Sequence, residues 1–203
     1  MSLPSYSVML FLTCKPKNSI KVFRIDNYVE HWAEIYKPIS HRPDAGSKER
    51  RFYRIDALTS IPSFLTNLTS AKSPSVAAVT RVDGSLTGQS EKFVLYTYSI
   101  FFLVKQVGTN LQNGITEELA ATDAKIEGAE MAQDFLAWMH YDYRVNKNKE
   151  LEGLNFRGAS FFTTPQKFNG WWPTNLVIEH LRPRILCVNN EKYGDQVAGN
   201  TLI

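Results

Sequence analysis

Apolar positions along this chain repeat with two different periods. Over residues 92–104 they fill both alternating sets. Phe93, Leu95, Phe101 and Leu103 make one, and Val94, Tyr96, Tyr98, Ile100, Phe102 and Val104 the other. Aromatic and β-branched content of this kind favours a strand. A strand apolar on both sides needs cover on both sides, from helices or from another subunit. Residues 75–82 have the same character and predict a partner strand. From 116 to 140 the period becomes helical. Ile115, Leu119, Thr122, Ile126, Ala129, Ala132, Leu136 and Met139 form one stripe, and Ala124, Gly128, Met131, Phe135 and Trp138 a second. Two stripes predict a long helix with a wide buried face. Ala120, Ala121, Ala124, Gly128 and Ala129 are small enough to let its N-terminal half lie close to a sheet.

The remaining segments are shorter. Residues 6–13 and 20–25 read as strands separated by Lys15-Pro16-Lys17-Asn18. Ile25, Val29, Trp32 and Tyr36 predict a helix that begins at Asn27, with Asp26 as cap and Pro38 as its stop. Leu58, Ile61, Leu65 and Leu68 predict another, with Ser60 as cap and Pro62 in its first turn. Residues 83–90, with Gly84 and Gly88, read as a long mobile connection. Residues 154–164 and 176–188 predict two further strands. They are joined by a loop, 165–173, that contains Phe168, Trp171 and Trp172. The fold class expected is therefore α+β, an antiparallel or mixed sheet flanked by one long helix and one or two shorter ones. The chain reads as one domain: an N-terminal extension with a charged loop (1–54), a core (55–190) and a C-terminal tail (191–203).

Composition narrows the classes. An apolar fraction of 43% and a charged fraction of 21% over 203 residues are those of a globular protein. A net charge of +3 is modest for a dedicated duplex-DNA binder. No apolar run is long enough to span a membrane as a helix. Nor does a basic stretch precede the apolar residues 6–13, so no signal peptide is expected. Cys14 and Cys187 lie in apolar contexts far apart and read as reduced thiols. His31, His41, His140 and His180 show no metal-ligand spacing, with His31 and His140 expected on helix surfaces and His180 on a strand. No GxSxG elbow and no phosphate loop occurs. The expectation is a protein without a catalytic site, metal or cofactor.

Two clusters remain as interface candidates. Arg42, Lys48, Arg50, Arg51 and Arg54 place five basic residues in thirteen positions, interleaved with Phe52 and Tyr53. Such a segment suits an acidic protein surface, or a nucleic-acid backbone with stacked bases, and is otherwise a solvated loop. Phe161, Phe162, Phe168, Trp171 and Trp172 suit an interface anchor or a ring folded over the core. With the loop residues Asp83, Gly84 and Gly88, these supply the candidate contact surface.

The element order of residues 55–190 (helix, strand, long loop, strand, long helix, two strands) resembles the tail-terminator and tail-completion proteins of long-tailed phages and related contractile injection systems. The resemblance lies in the order and character of residues 74–82, 92–104, 116–140 and 154–188, and in no residue motif. It implies a subunit of a homo-oligomeric ring, typically a hexamer, that closes the tail tube and joins it to the neck. The implied partners are copies of itself, tube or sheath proteins and neck or connector proteins, with passing DNA in the lumen. The implied location is the virion tail or neck, or the host cytoplasm before assembly. The competing expectations are a small ligand-binding or enzymatic α+β domain, and a nucleic-acid binder that uses residues 42–54.

Overall fold

The computed structural model of the chain describes residues 23–44, 50–56, 60–68, 72–80, 83–87, 93–106, 108, 114 and 116–183, all within one compact unit, Phe23–Arg184. Strand expectations before residue 23, both cysteines, Leu58, Ile115, Lys48 and Gly88 lie outside the described residues.

The elements in chain order are α1 (Ile25–Ile35), β1 (Phe52–Ile55), α2 (Ile61–Asn67), β2 (Ser75–Val79), β3 (Asp83–Thr87), β4 (Phe93–Lys105), α3 (Glu117–Arg144), a 3₁₀ turn (Lys149–Leu151), β5 (Ser160–Thr163) and β6 (Trp171–Pro183). The sheet order is β1-β2-β4-β6-β5, with β3 also paired to β4. β1 runs parallel to β2, and the other pairings are antiparallel. The fold is thus α+β with a mixed sheet. β4 is its centre: all thirteen of its residues pair with β6, while β2 and β3 lie end to end along its other side.

The pleat sorts side chains onto two faces. Val76, Ala78, Tyr98, Ile100, Phe102, Val104, Leu176 and Ile178 meet α1 and α3 on one. Trp32 of α1 sits edge-on to both Phe102 and Phe135, at 5.8 and 5.0 Å between ring centres, which locks both helices to the sheet. On the other face α2 lays Ile61, Leu65 and Leu68 over Ile55, Ala77, Val79, Phe101, Leu103 and Trp171. Residues 23–54, read from sequence as an extension, thus give α1 and β1 to the main core.

Several boundaries differ from the sequence reading. Ile25 opens α1 rather than closing a strand, and Asp26 is not its cap. Asp26 lies in the first turn, buried, with its carboxylate gripped by Arg24 and Arg54. α3 begins where expected, because the Thr116 hydroxyl accepts from the Leu119 N–H. It runs one turn further, to Arg144. It buries one stripe (Ala120, Ala124, Gly128, Met131, Ala132, Phe135, Met139), not two. Leu119 and Ile126 of the first stripe are 48% and 52% exposed, while Ala132 and Met139 of the same stripe are buried, because the N-terminal half of the helix meets the sheet along one side only. Segment 83–87 is a strand rather than a mobile loop. The free edge of β4 supplies the pairing that a Gly/Ser-rich sequence does not advertise. Of residues 154–164 only 160–163 form a strand, since Asn155 folds back to accept from the Gly158 N–H and turns the chain. β6 starts at Trp171, five residues before the predicted start, so Trp171 and Trp172 belong to the sheet.

Candidate functional site

The basic segment does not converge on one site. Arg42 and Arg50 are exposed. The Arg51 guanidinium donates to the Pro38 carbonyl at 3.0 Å, and its backbone N–H donates to Nδ1 of His41 at 3.3 Å. Arg54 binds Asp26 at 3.0 Å and Glu30 at 2.5 Å. The hydrogen bond from Arg24, with Arg54 beside it, holds the Asp26 carboxyl down to about 2 against the cost of burial. His41 is buried within 3.9 Å of Glu30, and burial pushes its pKa below the ordinary histidine value. Two of the five cations are therefore fasteners for α1 and the β1 start.

The tryptophans are core. Trp171 is fully buried, and its indole N–H donates to the Leu68 carbonyl at 3.1 Å, tying β6 to α2. Trp172 is buried on the opposite face with the Lys125 ammonium 4.2 Å from its ring centre. Phe168 is half-buried against the α2 cluster. A tight hairpin positions all three. Phe168 bridges Trp171, and Asn169 and Gly170 both have positive φ, 50° and 79°. That is the Asn-Gly two-residue turn. The dipeptide between aromatics was the signal that would have placed Trp171 at a strand start.

Gly84 lies in β3 opposite Tyr96, whose ring stands 3.2 Å from where a Cβ would be. Asp83 pairs with Thr97 at the start of the same strand. Neither is a loop-tip residue.

His180 is the most perturbed histidine. It is fully buried, Nε2–H donates to the Glu152 carbonyl at 2.8 Å, and Nδ1 has no partner. Burial pushes its pKa down to about 4. No nucleophile or carboxylate bonds to it, so its role is to pin the 3₁₀ turn to β6. Among the described residues no His, Cys, Asp or Glu group is placed to hold a metal, and no helix is long and apolar enough to cross a membrane. A shallow hollow of about 640 Å³ lies between Gln106, Glu117, Pro165, Lys167 and Trp172. Its cation Lys167 is paired with Glu117, and its indole is occupied by Lys125.

A different surface stands out. α2 covers only one half of its face of the sheet. On the other half, cross-strand neighbours Leu95 and Leu181, with Phe93 and Val177 along the same strands and Phe162 on β5, point the same way. Phe93, Leu181 and Phe162 are 38%, 39% and 53% exposed, and Leu95 and Val177 are half-buried. One carboxylate interrupts this surface: Glu179, which accepts from the Asn155 amide at 3.3 Å. The Thr97–Glu179 pair divides Leu95 and Leu181 from Val177, but exposed apolar groups gathered on one sheet face mark a contact surface. It was legible in part, as the two-sided apolarity of β4. No family model matches the chain, and neither does any curated protein.

Proposed function

We propose that the chain is a structural subunit that works by assembly. Its finer form is the ring, of six copies, that ends a phage or phage-like tail tube and connects it to the neck. The observation that carries this reading is the half-face of Phe93, Leu95, Val177, Leu181 and Phe162, largely apolar and uncovered beside the part of the same face that α2 seals. Burial of such a surface contributes about 25 cal/mol per Å², which favours a permanent contact over a transient one. Rings arise when a heterologous contact closes, and a subunit of this type needs no reaction chemistry. The exposed Arg42 and Arg50, before β1 at the other edge of the sheet, supply a separate positive surface for an acidic neighbour.

The test is imaging of the particle from which the protein comes, with the chain labelled at its C-terminus. The expected result is one labelled ring at the neck end of the tube, or rings of the purified chain on a tube template. A monomer that turns over a small molecule overturns the proposal. So does tight DNA binding with a steep salt dependence.

A further inference from the structure

We infer that β5 is a pairing edge for a second copy of this chain. The two β5 strands run antiparallel about a two-fold axis, with Phe162 of each opposite Phe162 of the other. This goes beyond the ring reading, because a two-fold contact closes at two copies and differs from the head-to-tail contact of a ring.

The hydrogen-bond ladder fixes which groups are free. The Gln106 N–H donates to the Gly170 carbonyl, so even-numbered residues of β6 bond towards β4. The Thr164 N–H donates to the Pro173 carbonyl, so odd-numbered ones bond towards β5. Ser160, Phe162 and Thr164 therefore face β6, and the N–H and C=O of Phe161 and Thr163 point outward. Among the described residues no strand lies beyond β5, which ends the sheet order. Exposed edges are ordinarily guarded by charge, proline or a covering element. Here residues 158–166 carry no charge at all, proline enters only at 165, and Phe161 and Phe162 are 37% and 53% exposed.

Self-pairing follows from the same spacing. The two outward residues are two apart. About an axis through Phe162, Phe161 therefore meets the second copy's Thr163 and the reverse, each pair exchanging both backbone bonds. Phe162 then falls at the non-hydrogen-bonded position, where facing Cβ atoms come within about 5 Å and aromatic pairs stabilise. An uncharged segment meets its own copy without repulsion. The opposite end of the sheet is different: β1 is flanked by Arg50 and Arg51, the charge guard that β5 lacks. With the axis normal to the sheet, the two uncovered half-faces lie on one side as a continuous surface.

Sedimentation velocity of the full chain across the micromolar range should show a monomer–dimer equilibrium. Phe162→Glu places like charges opposite each other, and Phe161→Pro removes an outward N–H without touching the bonds to β6. Each should abolish the dimer while far-UV circular dichroism stays unchanged. With Cys14 and Cys187 replaced by serine, Phe162→Cys should form a disulfide-linked dimer on oxidation, and Ser160→Cys should not. A wild-type chain that stays monomeric throughout, or a dimer that survives Phe162→Glu, overturns the inference. Rings that persist in Phe161→Pro while the dimer is lost would support both proposals, because Phe161 lies outside the half-face; no rings of the wild-type chain, with the dimer present, would support this contact and overturn the assembly proposal.

Discussion

Gly128→Ala sets two effects of known size against each other. Gly128 lies in the middle of α3, where alanine is better than glycine by about 1 kcal/mol on helix propensity alone. Against this, a Cβ at that position would lie 2.5 Å from Oγ1 of Thr174 and 3.3 Å from its Cβ. Thr174 is fully buried, and its hydroxyl shares a 3.0 Å hydrogen bond with that of Thr163, so it has no free rotamer to retreat into. Overpacking of this kind costs about 1–3 kcal/mol. The net expectation is a loss of about 1 kcal/mol, or roughly 2–4 °C in Tm for a chain of this length. Thr174→Ala removes the obstacle, so in that background Gly128→Ala should stabilise by about 1 kcal/mol, a coupling of about 2 kcal/mol. Urea unfolding of the four proteins in the cycle measures it. If Gly128→Ala stabilises the wild-type protein, or has the same effect in both backgrounds, α3 does not sit on β6 as described.

Further predictions concern buried groups. His180 has a folded pKa of about 4 against an ordinary 6.5. The unfolded chain therefore takes up the proton first: stability is full above about pH 6.5 and falls by about 3 kcal/mol as the pH drops to about 4. His180→Gln should flatten that part of the pH–stability curve, and an unchanged slope would refute the assignment. Trp171→Phe leaves the Leu68 carbonyl unpaired in the core and should cost about 1–3 kcal/mol in urea unfolding. Arg54→Met should cost about 1 kcal/mol after allowance for its partial exposure. Arg50→Glu, on an exposed side chain, should stay within about 0.5 kcal/mol.

The sequence by itself determined element type wherever local pattern and burial agree. β4 was readable from its aromatic and β-branched content, α3 from its period and its Thr116 cap, and α2 from Ser60 and Pro62. The seat for α3 was readable too, because only small side chains allow a helix that close. Tertiary structure decided what depends on partners distant in the chain. β3 exists because β4 offers it an edge. Leu119 and Ile126 of α3 are left in solvent because the sheet meets the N-terminal half of the helix on one side only. Arg54 is a fastener because folding brings α1 against β1, a pairing no local spacing encodes. Trp171 and Trp172, read as either interface anchors or rings folded over the core, are buried on opposite faces because the Asn169-Gly170 turn starts β6 beneath them and strand alternation then separates neighbours. The two-sided apolarity of β4 announced that both faces must be covered. Which half of one face remains open was decided by α2, seven residues long and too short to reach beyond Phe101.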